Sequence, residues 1–195
     1  MARTATVEQA TQETRVRVVL NLDGSGQRKV QTGIGYFDHM LEQLAFHGLL
    51  DLELQCQGDL HVDSHHTVED VGLALGKAID QALGDRSGIR RYGHAYIPMD
   101  ETLARVVLDF SGRPEIHFQG GFRHDRIGEL ETQMVQHFFK SVALAARMTL
   151  HMALLYGEND HHKAEALFKG FGRALSDSIA VEPRRAGVSS TKGKL

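Results

Sequence analysis

The sequence contains little cysteine, no tryptophan and no long hydrophobic run. Cys56 is the only cysteine among 195 residues, so no disulfide can form within the chain, and we expect a reducing, cytoplasmic setting. Residues 1–15 lack the apolar segment of a signal peptide. The longest apolar stretch, residues 142–156, is interrupted by Arg147 and His151 and is too short to cross a bilayer. We therefore expect no membrane span.

An excess of charge of one sign is also missing. The chain has 22 Lys and Arg residues against 25 Asp and Glu residues, and its pI is near 6.4. Such a balance gives no excess of positive charge for binding a nucleic acid, so we expect no nucleic-acid partner. The hydrophobic fraction of 42% is ample for the core of one compact domain.

Histidine, by contrast, is abundant, with 12 residues that are grouped rather than scattered. Imidazole is the commonest metal-binding side chain in proteins. The positions of the histidines are therefore the place to look for function.

Hydrophobic periodicity predicts the elements of the first half. Apolar and polar residues nearly alternate over residues 14–22, and a turn at residues 23–26 follows, which predicts a strand and a hairpin. Helical spacing predicts one helix over residues 36–47 and another that follows Asp63-Ser64 and runs to about Leu83, with a strand starting at Leu50 between them. The predicted order is strand, strand, helix, strand, helix.

The same order returns in the second half of the chain. We predict strands near residues 92–98, 103–110, 115–118 and 148–156, a helix over residues 130–147, and a last helix from His161. The two halves also align by residue type, since the segment 17–22 matches 105–110 and Gly76 matches Gly172. We interpret the chain as two structural repeats, residues 1–90 and residues 91–195, within one compact domain.

A duplicated unit of this kind predicts the fold class. Each half would present one amphipathic sheet face and two helices, and the economical way to bury both is a pseudo-twofold arrangement with the helices inside. We predict an α+β protein, an internally duplicated α/β sandwich in which two mixed sheets flank a layer of four helices.

The duplication also repeats a set of metal-binding side chains. His65, His66 and Glu69 align with His161, His162 and Glu165, and His39 aligns with His137. Neighbouring helical residues point about 100° apart, so the paired histidines more naturally serve two different ions. Six imidazoles and two carboxylates give each of two ions four ligands, which leaves a six-coordinate ion open to water or substrate. This donor set fits manganese, iron or zinc, and six-coordination favours manganese.

A single such motif is more often a polar surface or a set of satisfied core histidines than a metal site. Recurrence of the same residue types in the same register in both halves favours the hypothesis of a metal site. The other histidines without a counterpart are taken as structural or surface residues, namely His61, His94, His117, His124 and His151, and Asp63 is interpreted as a helix cap.

Basic residues form a second candidate set. Arg90 and Arg91 follow the second predicted helix, Arg113 lies in a Ser-Gly-Arg-Pro turn, and residues 189–194 are rich in Ser and Lys. Arg and Lys suit phosphate, although isolated surface cations and polar tails are usually only solvated. Spacing alone does not select these residues.

Four ordered motifs together resemble the imidazoleglycerol-phosphate dehydratase family. They are Gly35-Tyr36-Phe37-Asp38-His39-Met40-Leu41, Asp63-Ser64-His65-His66-Thr67-Val68-Glu69-Asp70, Ser111-Gly112-Arg113-Pro114 and Asn159-Asp160-His161-His162-Lys163-Ala164-Glu165. The resemblance covers nearly the whole chain. Some members carry a fused phosphatase domain, for which these 195 residues are too few, so we expect the monofunctional form.

This resemblance implies a site and an assembly. It implies two Mn²⁺ ions per active site, with ligands at His39, His65, His66, Glu69, His137, His161, His162 and Glu165. It implies substrate contacts at Glu13, Gln43, His47, Arg91, Arg113, Ser190 and Lys192, of which His47, Arg91, Arg113 and Lys192 would bind phosphate. It further implies a homo-oligomer of 24 subunits with active sites at subunit contacts, and a C-terminal tail that closes over substrate.

The resemblance also implies a reaction, the dehydration of D-erythro-imidazole glycerol phosphate to imidazole acetol phosphate in histidine biosynthesis by a hydro-lyase. We hypothesise a metal-bound imidazolate and a diazafulvene-like intermediate, with the metal replacing a missing carbonyl. Glu13 is the candidate for proton transfer, and the ligands Glu69 and Glu165 are counted with it as catalytic. Two alternatives stay open: a dinuclear metallohydrolase acting on a phosphate ester, and a metal-assembled shell without catalysis.

Overall fold

The computed structural model describes residues 3–193 and consists of two four-stranded sheets with four helices between them. The first half contains β1 (Thr4–Ala10), β2 (Thr14–Asn21), β3 (Arg28–Gln31), α1 (Gly35–Gly48), β4 (Asp51–Gly58) and α2 (His65–Leu83). Its sheet has the order β1-β2-β4-β3, with β3 parallel to β4 and the other pairs antiparallel. Apolar residues alternate along β2 and β4, and these residues face the helices.

The second half repeats this arrangement. It contains β5 (Tyr92–Met99), β6 (Thr102–Asp109), β7 (Glu115–Gln119), a short hairpin of β8 (Arg126–Ile127) and β9 (Leu130–Glu131), α3 (Gln133–Ala145), β10 (Thr149–Tyr156) and α4 (Asp160–Ile179). Its sheet has the order β5-β6-β10-β7, again with one parallel pair, β7 with β10. The predicted duplicated sandwich with mixed sheets is confirmed. The boundary between the repeats at residues 90 and 91 stays a prediction, and residues 194 and 195 lie outside the described part.

The helices pair across the two halves. Helix α1 packs on α4, and α2 packs on α3. Two aligned glycines allow these close approaches: a Cβ on Gly172 would lie 2.4 Å from the Leu44 carbonyl oxygen, and one on Gly76 would lie 2.6 Å from that of Val142. Each helix that carries predicted metal ligands therefore lies against a helix of the other repeat.

Aromatic packing fixes these helices in the centre of the sandwich. Phe37 on α1 packs edge-on against Phe138 on α3, with ring centroids 5.3 Å apart, and Phe168 on α4 stacks on Phe138 at 5.2 Å. All three rings are fully buried. Burial of each contributes about 1.5–3 kcal/mol, so the core holds the helix N-termini in fixed relative positions.

Three details differ from the sequence expectations. Strand β1 was not predicted; its residues are largely exposed because it is an edge strand, and only Val7 is buried. The predicted hairpin after residue 22 is wrong, because β2 pairs with β1 and β4 and not with β3. The helix predicted from residue 130 begins at Gln133, since Leu130 and Glu131 pair with β8 instead.

The chain after α4 returns to the junction of the two halves. Val181 pairs with Ile89 and Val188 pairs with Ser87 in isolated antiparallel bridges. Within residues 3–193, no helix combines the length and the apolar character needed to cross a membrane.

Candidate active site

The first histidine group, defined as His39, His161 and Glu165, lies between α1 and α4. Glu165 Oε2 is 3.0 Å from His161 Nε2 and 3.6 Å from His39 Nε2. One ligand atom from each of the three residues lies within 4.8 Å of the other two. Tyr36 packs edge-on against the His161 ring at a centroid distance of 5.0 Å and restricts its orientation. The group joins a residue of the first repeat to two residues of the second.

The second histidine group, defined as His65, Glu69 and His137, lies between α2 and α3. Glu69 Oε1 is 3.2 Å from His137 Nε2, and Glu69 Oε2 is 4.0 Å from His65 Nε2. These ligand atoms also lie within 4.8 Å of one another. The group has the same composition as the first, because duplication maps His39 onto His137 and the α4 residues onto those of α2. Asp63, interpreted as a cap, accepts a hydrogen bond from the backbone N–H of His65 and so helps to start α2.

The remaining predicted ligands, His66 and His162, point away from both groups. His66 Nδ1 lies 3.0 Å from Asp59 Oδ2, and this hydrogen bond raises the pKa of His66. His162 Nδ1 lies 2.7 Å from Glu101 Oε2. Their divergence follows from the 100° step between neighbouring helical residues. Within one chain each group thus contains three donors rather than the expected four, and metal ligation by His66 and His162 stays a prediction.

The donor chemistry of both groups fits a divalent first-row transition metal. Each offers two imidazole nitrogens and one carboxylate, without a thiolate, which suits manganese, iron or zinc. Burial raises the pKa of Glu165, but the hydrogen bonds from Lys169 and His161 outweigh it, so the pKa lies below its ordinary value. Glu165 is therefore an anion at neutral pH, as a ligand must be.

Helix α1 continues the first histidine group along one face. Gln43 and His47 follow His39 at successive intervals of four residues and so lie on the same face as His39. Burial lowers the pKa of His47, and the nearby charges of Lys169 and Arg173 lower it further. Sequence reasoning missed Lys169, whose Nζ lies 2.7 Å from Glu165 Oε1. Its spacing of four residues from a predicted ligand was the available signal.

A basic cleft of ≈ 600 Å³ lies elsewhere, at the start of β5. Its lining includes four of the predicted substrate contacts, Arg91, Arg113, Ser190 and Lys192, together with Arg185, which the sequence did not single out. The Arg91 guanidinium donates to both carboxylate oxygens of Asp109, at 2.6 and 2.9 Å, and this pairing raises its pKa. The fold thus gathers cations that are far apart in the sequence.

Within one chain this cleft lies far from both histidine groups. The Arg91 backbone N–H donates to the carbonyl of Ser178, thirteen residues beyond Glu165 on α4, which corresponds to ~20 Å along the helix axis. The second group is equally distant. Val188 of the cleft wall pairs with Ser87, which lies just beyond the end of α2. That end, at Leu83, lies ~20 Å along the helix from Glu69. Both paths give the same result: the cleft and the histidine groups of one chain are ~20 Å apart.

The last predicted contact, Glu13, occupies the turn between β1 and β2. Its Oε1 lies 3.7 Å from His66 Nε2, and its side chain is half exposed. It belongs neither to the histidine groups nor to the basic cleft. The histidines assigned to structure or surface, His61, His94, His117, His124 and His151, are all exposed and lie outside these clusters.

Comparisons with known proteins agree on one family. The family model for imidazoleglycerol-phosphate dehydratase matches residues 32–175. The imidazoleglycerol-phosphate dehydratase of Aminomonas aminovorus is 54% identical over 194 residues, which cover 99% of this chain and 100% of that protein. The imidazoleglycerol-phosphate dehydratase of Paracidovorax citrulli is 56% identical over 194 residues, which cover 99% of this chain and 93% of that protein.

Solved structures agree with these sequence relatives. The crystal structure of the enzyme from Staphylococcus aureus matches with a TM-score of 0.83 and 36% identity, covering 92% of this chain and 99% of that one. The crystal structure of the enzyme from Pyrococcus furiosus matches with a TM-score of 0.84 and 32% identity, and the match covers 97% of this chain and 100% of that one. The similarity therefore extends from sequence to fold over almost the full length.

Proposed function

This chain belongs to the imidazoleglycerol-phosphate dehydratase family, and we propose that its two histidine groups bind two Mn²⁺ ions that assist the family reaction. Members of the family are hydro-lyases of histidine biosynthesis that act on a small phosphate substrate. The proposal rests on one observation, the recurrence of two imidazoles and a carboxylate within 4.8 Å in both halves of the fold.

Each ion would take three ligands from one chain and a fourth from another. The histidine groups supply the three, and His66 and His162, whose Nδ1 atoms are already paired, supply an Nε2 to a neighbouring copy. Bound Mn²⁺ would supply positive charge that draws electrons from the imidazole ring of the substrate, in place of the carbonyl that the substrate lacks.

The ~20 Å separation within one chain supports an active site that is shared between subunits. Imidazole and phosphate in the substrate are joined by a three-carbon chain, which spans much less than this distance. A histidine group of one copy and the basic cleft of another must therefore meet. We propose the homo-oligomer of 24 subunits as the assembly that brings them together, with His66 and His162 at the contacts.

The basic cleft would bind the phosphate. Arg91 and Arg113 offer guanidinium donors, and Lys192 and Ser190 come from the C-terminal tail, which would close over the substrate. Gln43 and His47 would reach the same substrate from the histidine group of the neighbouring copy, since both lie on the face of α1 that carries His39. These contacts hold the substrate in one orientation, which lowers the entropy cost of the reaction.

Glu13 would move the protons. Its carboxylate is half exposed and lies beside His66, so it can reach a substrate bound at the subunit contact. Dehydration removes one proton from carbon and one hydroxyl group, which leave together as water, and the enol product then becomes the ketone. A carboxyl group that first gives its proton to the departing hydroxyl and then, as a carboxylate, accepts the carbon-bound proton balances these steps.

One experiment tests the whole proposal. The protein is stripped with a chelator, Mn²⁺ alone is restored, and dehydration of imidazole glycerol phosphate is measured together with particle size. We expect turnover and the large assembly to return together. Turnover by the stripped protein would refute the metal role, and release of inorganic phosphate from the substrate would favour the metallohydrolase alternative.

A further inference from the structure

Two glutamates occupy equivalent turns of the two repeats. Glu13 precedes Thr14 in the turn between β1 and β2, and Glu101 precedes Thr102 in the turn between β5 and β6. The pairs Glu13/Glu101, Thr14/Thr102 and Arg17/Arg105 have the same separation along the chain. Both glutamates lie beside the second histidine of the nearby pair, His66 or His162.

The two carboxylates differ in their hydrogen bonds. Glu101 Oε1 accepts hydrogen bonds from the backbone N–H groups of Glu158 and Asn159, at 2.9 and 2.7 Å, and from the Thr102 hydroxyl at 3.0 Å. Its other oxygen, Oε2, lies 2.7 Å from His162 Nδ1. The Glu13 carboxylate accepts no hydrogen bond within residues 3–193.

In the first repeat another residue takes the place of Glu101. Asp59 Oδ2 lies 3.0 Å from His66 Nδ1, and Asp59 comes from the segment between β4 and α2 rather than from the turn that carries Glu13. The same ring nitrogen is therefore paired with a carboxylate in both repeats, but the carboxylate is delivered by different elements.

We propose that Glu101 and Asp59 are positioning residues that fix the tautomer of His162 and His66, and that Asp59 thereby leaves Glu13 free for proton transfer. This inference rests on the proposed function, because it treats both histidines as metal ligands. A neutral imidazole that donates its Nδ1–H to a carboxylate keeps a lone pair on Nε2, which is the state that a metal requires.

An amide at each position tests this proposal, with different outcomes. In Glu101→Gln, three donors hold the amide oxygen at the Oε1 position, so the amide NH₂ faces His162 Nδ1 and that nitrogen must become an acceptor. The ring proton then moves to Nε2 and blocks the metal. In Asp59→Asn, His66 is the only side-chain partner within residues 3–193, so the amide can rotate and present its oxygen to Nδ1–H.

The readout is Mn²⁺ binding to the chelator-stripped full chain, followed by the electron paramagnetic resonance signal of free Mn²⁺. We expect Glu101→Gln to lower the affinity for one of the two Mn²⁺ ions per chain by about 10- to 100-fold, and we expect the same of Asp59→Ala. Asp59→Asn should change the affinity by less than about threefold. Glu8→Gln, which removes the same charge from an exposed edge strand, is the control and should bind Mn²⁺ as the parent does.

Turnover separates the two duplicated glutamates. Excess Mn²⁺ should restore turnover to Glu101→Gln but not to Glu13→Gln, because only Glu101→Gln has a lowered affinity for Mn²⁺. Unchanged Mn²⁺ affinity in Glu101→Gln, or an equal loss in Asp59→Asn and Asp59→Ala, would overturn the inference. If the Gln variant at position 101 fails to fold, the Asp59 pair still decides the question. Absence of dehydration by the parent would refute the proposed function, while the Mn²⁺ affinities would still test the positioning role.

Discussion

Glu165 and Glu69 occupy equivalent positions in the two repeats, yet the side chain of Glu165 is 8% exposed and that of Glu69 is 41% exposed. The next helical turn explains part of the difference: Lys169 Nζ lies 2.7 Å from Glu165 Oε1, whereas Leu73 stands at the corresponding position of α2. The duplicated groups are therefore alike in donors but unlike in electrostatics.

This difference predicts unequal Mn²⁺ affinities. Lys169 repels an incoming cation, so the first histidine group should bind Mn²⁺ more weakly than the second. Lys169→Met should tighten the weaker site on the order of fivefold and bring the two affinities together. Titration of the stripped protein measures both, with Lys77→Met on the exposed face of α2 as the control of equal charge change. Weaker binding in the Lys169 variant would contradict this assignment.

Glu13→Gln should abolish most turnover while leaving the binding of metal and substrate nearly unchanged. The amide keeps the shape of the side chain but cannot accept the carbon-bound proton, so we expect kcat to fall by about 10²- to 10⁴-fold. Steady-state kinetics and Mn²⁺ titration on the same preparation check both parts, with Glu8→Gln as the matched variant. An unaltered kcat would remove Glu13 from the mechanism.

Arg113→Ala should raise KM strongly, because it removes a guanidinium from the basic cleft. A lost charge-assisted contact to phosphate corresponds to a rise on the order of 10- to 100-fold. Arg126→Ala removes an exposed arginine that pairs with Glu131 outside the cleft, and its KM should match that of the parent. If both variants keep the parental KM, the phosphate binds elsewhere.

Asp160→Asn should destabilise the fold in a pH-dependent way. Burial raises the pKa of Asp160, but hydrogen bonds from Lys163 and from Arg123 and His124 outweigh it and hold the pKa well below its ordinary value. The ionised carboxylate therefore stabilises the folded state, fully above the unfolded-state pKa of about 4, and this stabilisation is lost as the pH falls through the folded-state value.

Urea unfolding of the metal-free variant and parent, at one fixed chain concentration, measures this effect. At pH 7 we expect the free energy of unfolding to fall by about 2 kcal/mol, and the difference should shrink as the pH is lowered below about 4. Asp125→Asn, in the exposed loop that contains Arg123 and His124, should show no such difference. If the difference in the free energy of unfolding between Asp160→Asn and the parent stays the same at low pH, the role of the ionised carboxylate is contradicted.

The elements that were predicted well have strong local signals. Helices α1, α2 and α4 carry apolar residues at helical spacing over several turns, and their observed bounds lie within a few residues of the expectation. Strand β1 was missed because an edge strand with one buried residue lacks a clear alternation. The false hairpin arose because the turn after β2 resembles a hairpin turn, while the partner of β3 is β4, across the crossover helix α1.

The sequence by itself determined the donor types, their duplication and the pairing of a histidine with a glutamate one helical turn later, because a helix fixes which residues share a face. The tertiary structure decided that His39 joins α4 and that His137 joins α2, because helices of opposite repeats pack together at Gly172 and Gly76. It also decided that the basic cleft lies ~20 Å from both groups of its own chain, since packing and not sequence order sets distances between elements.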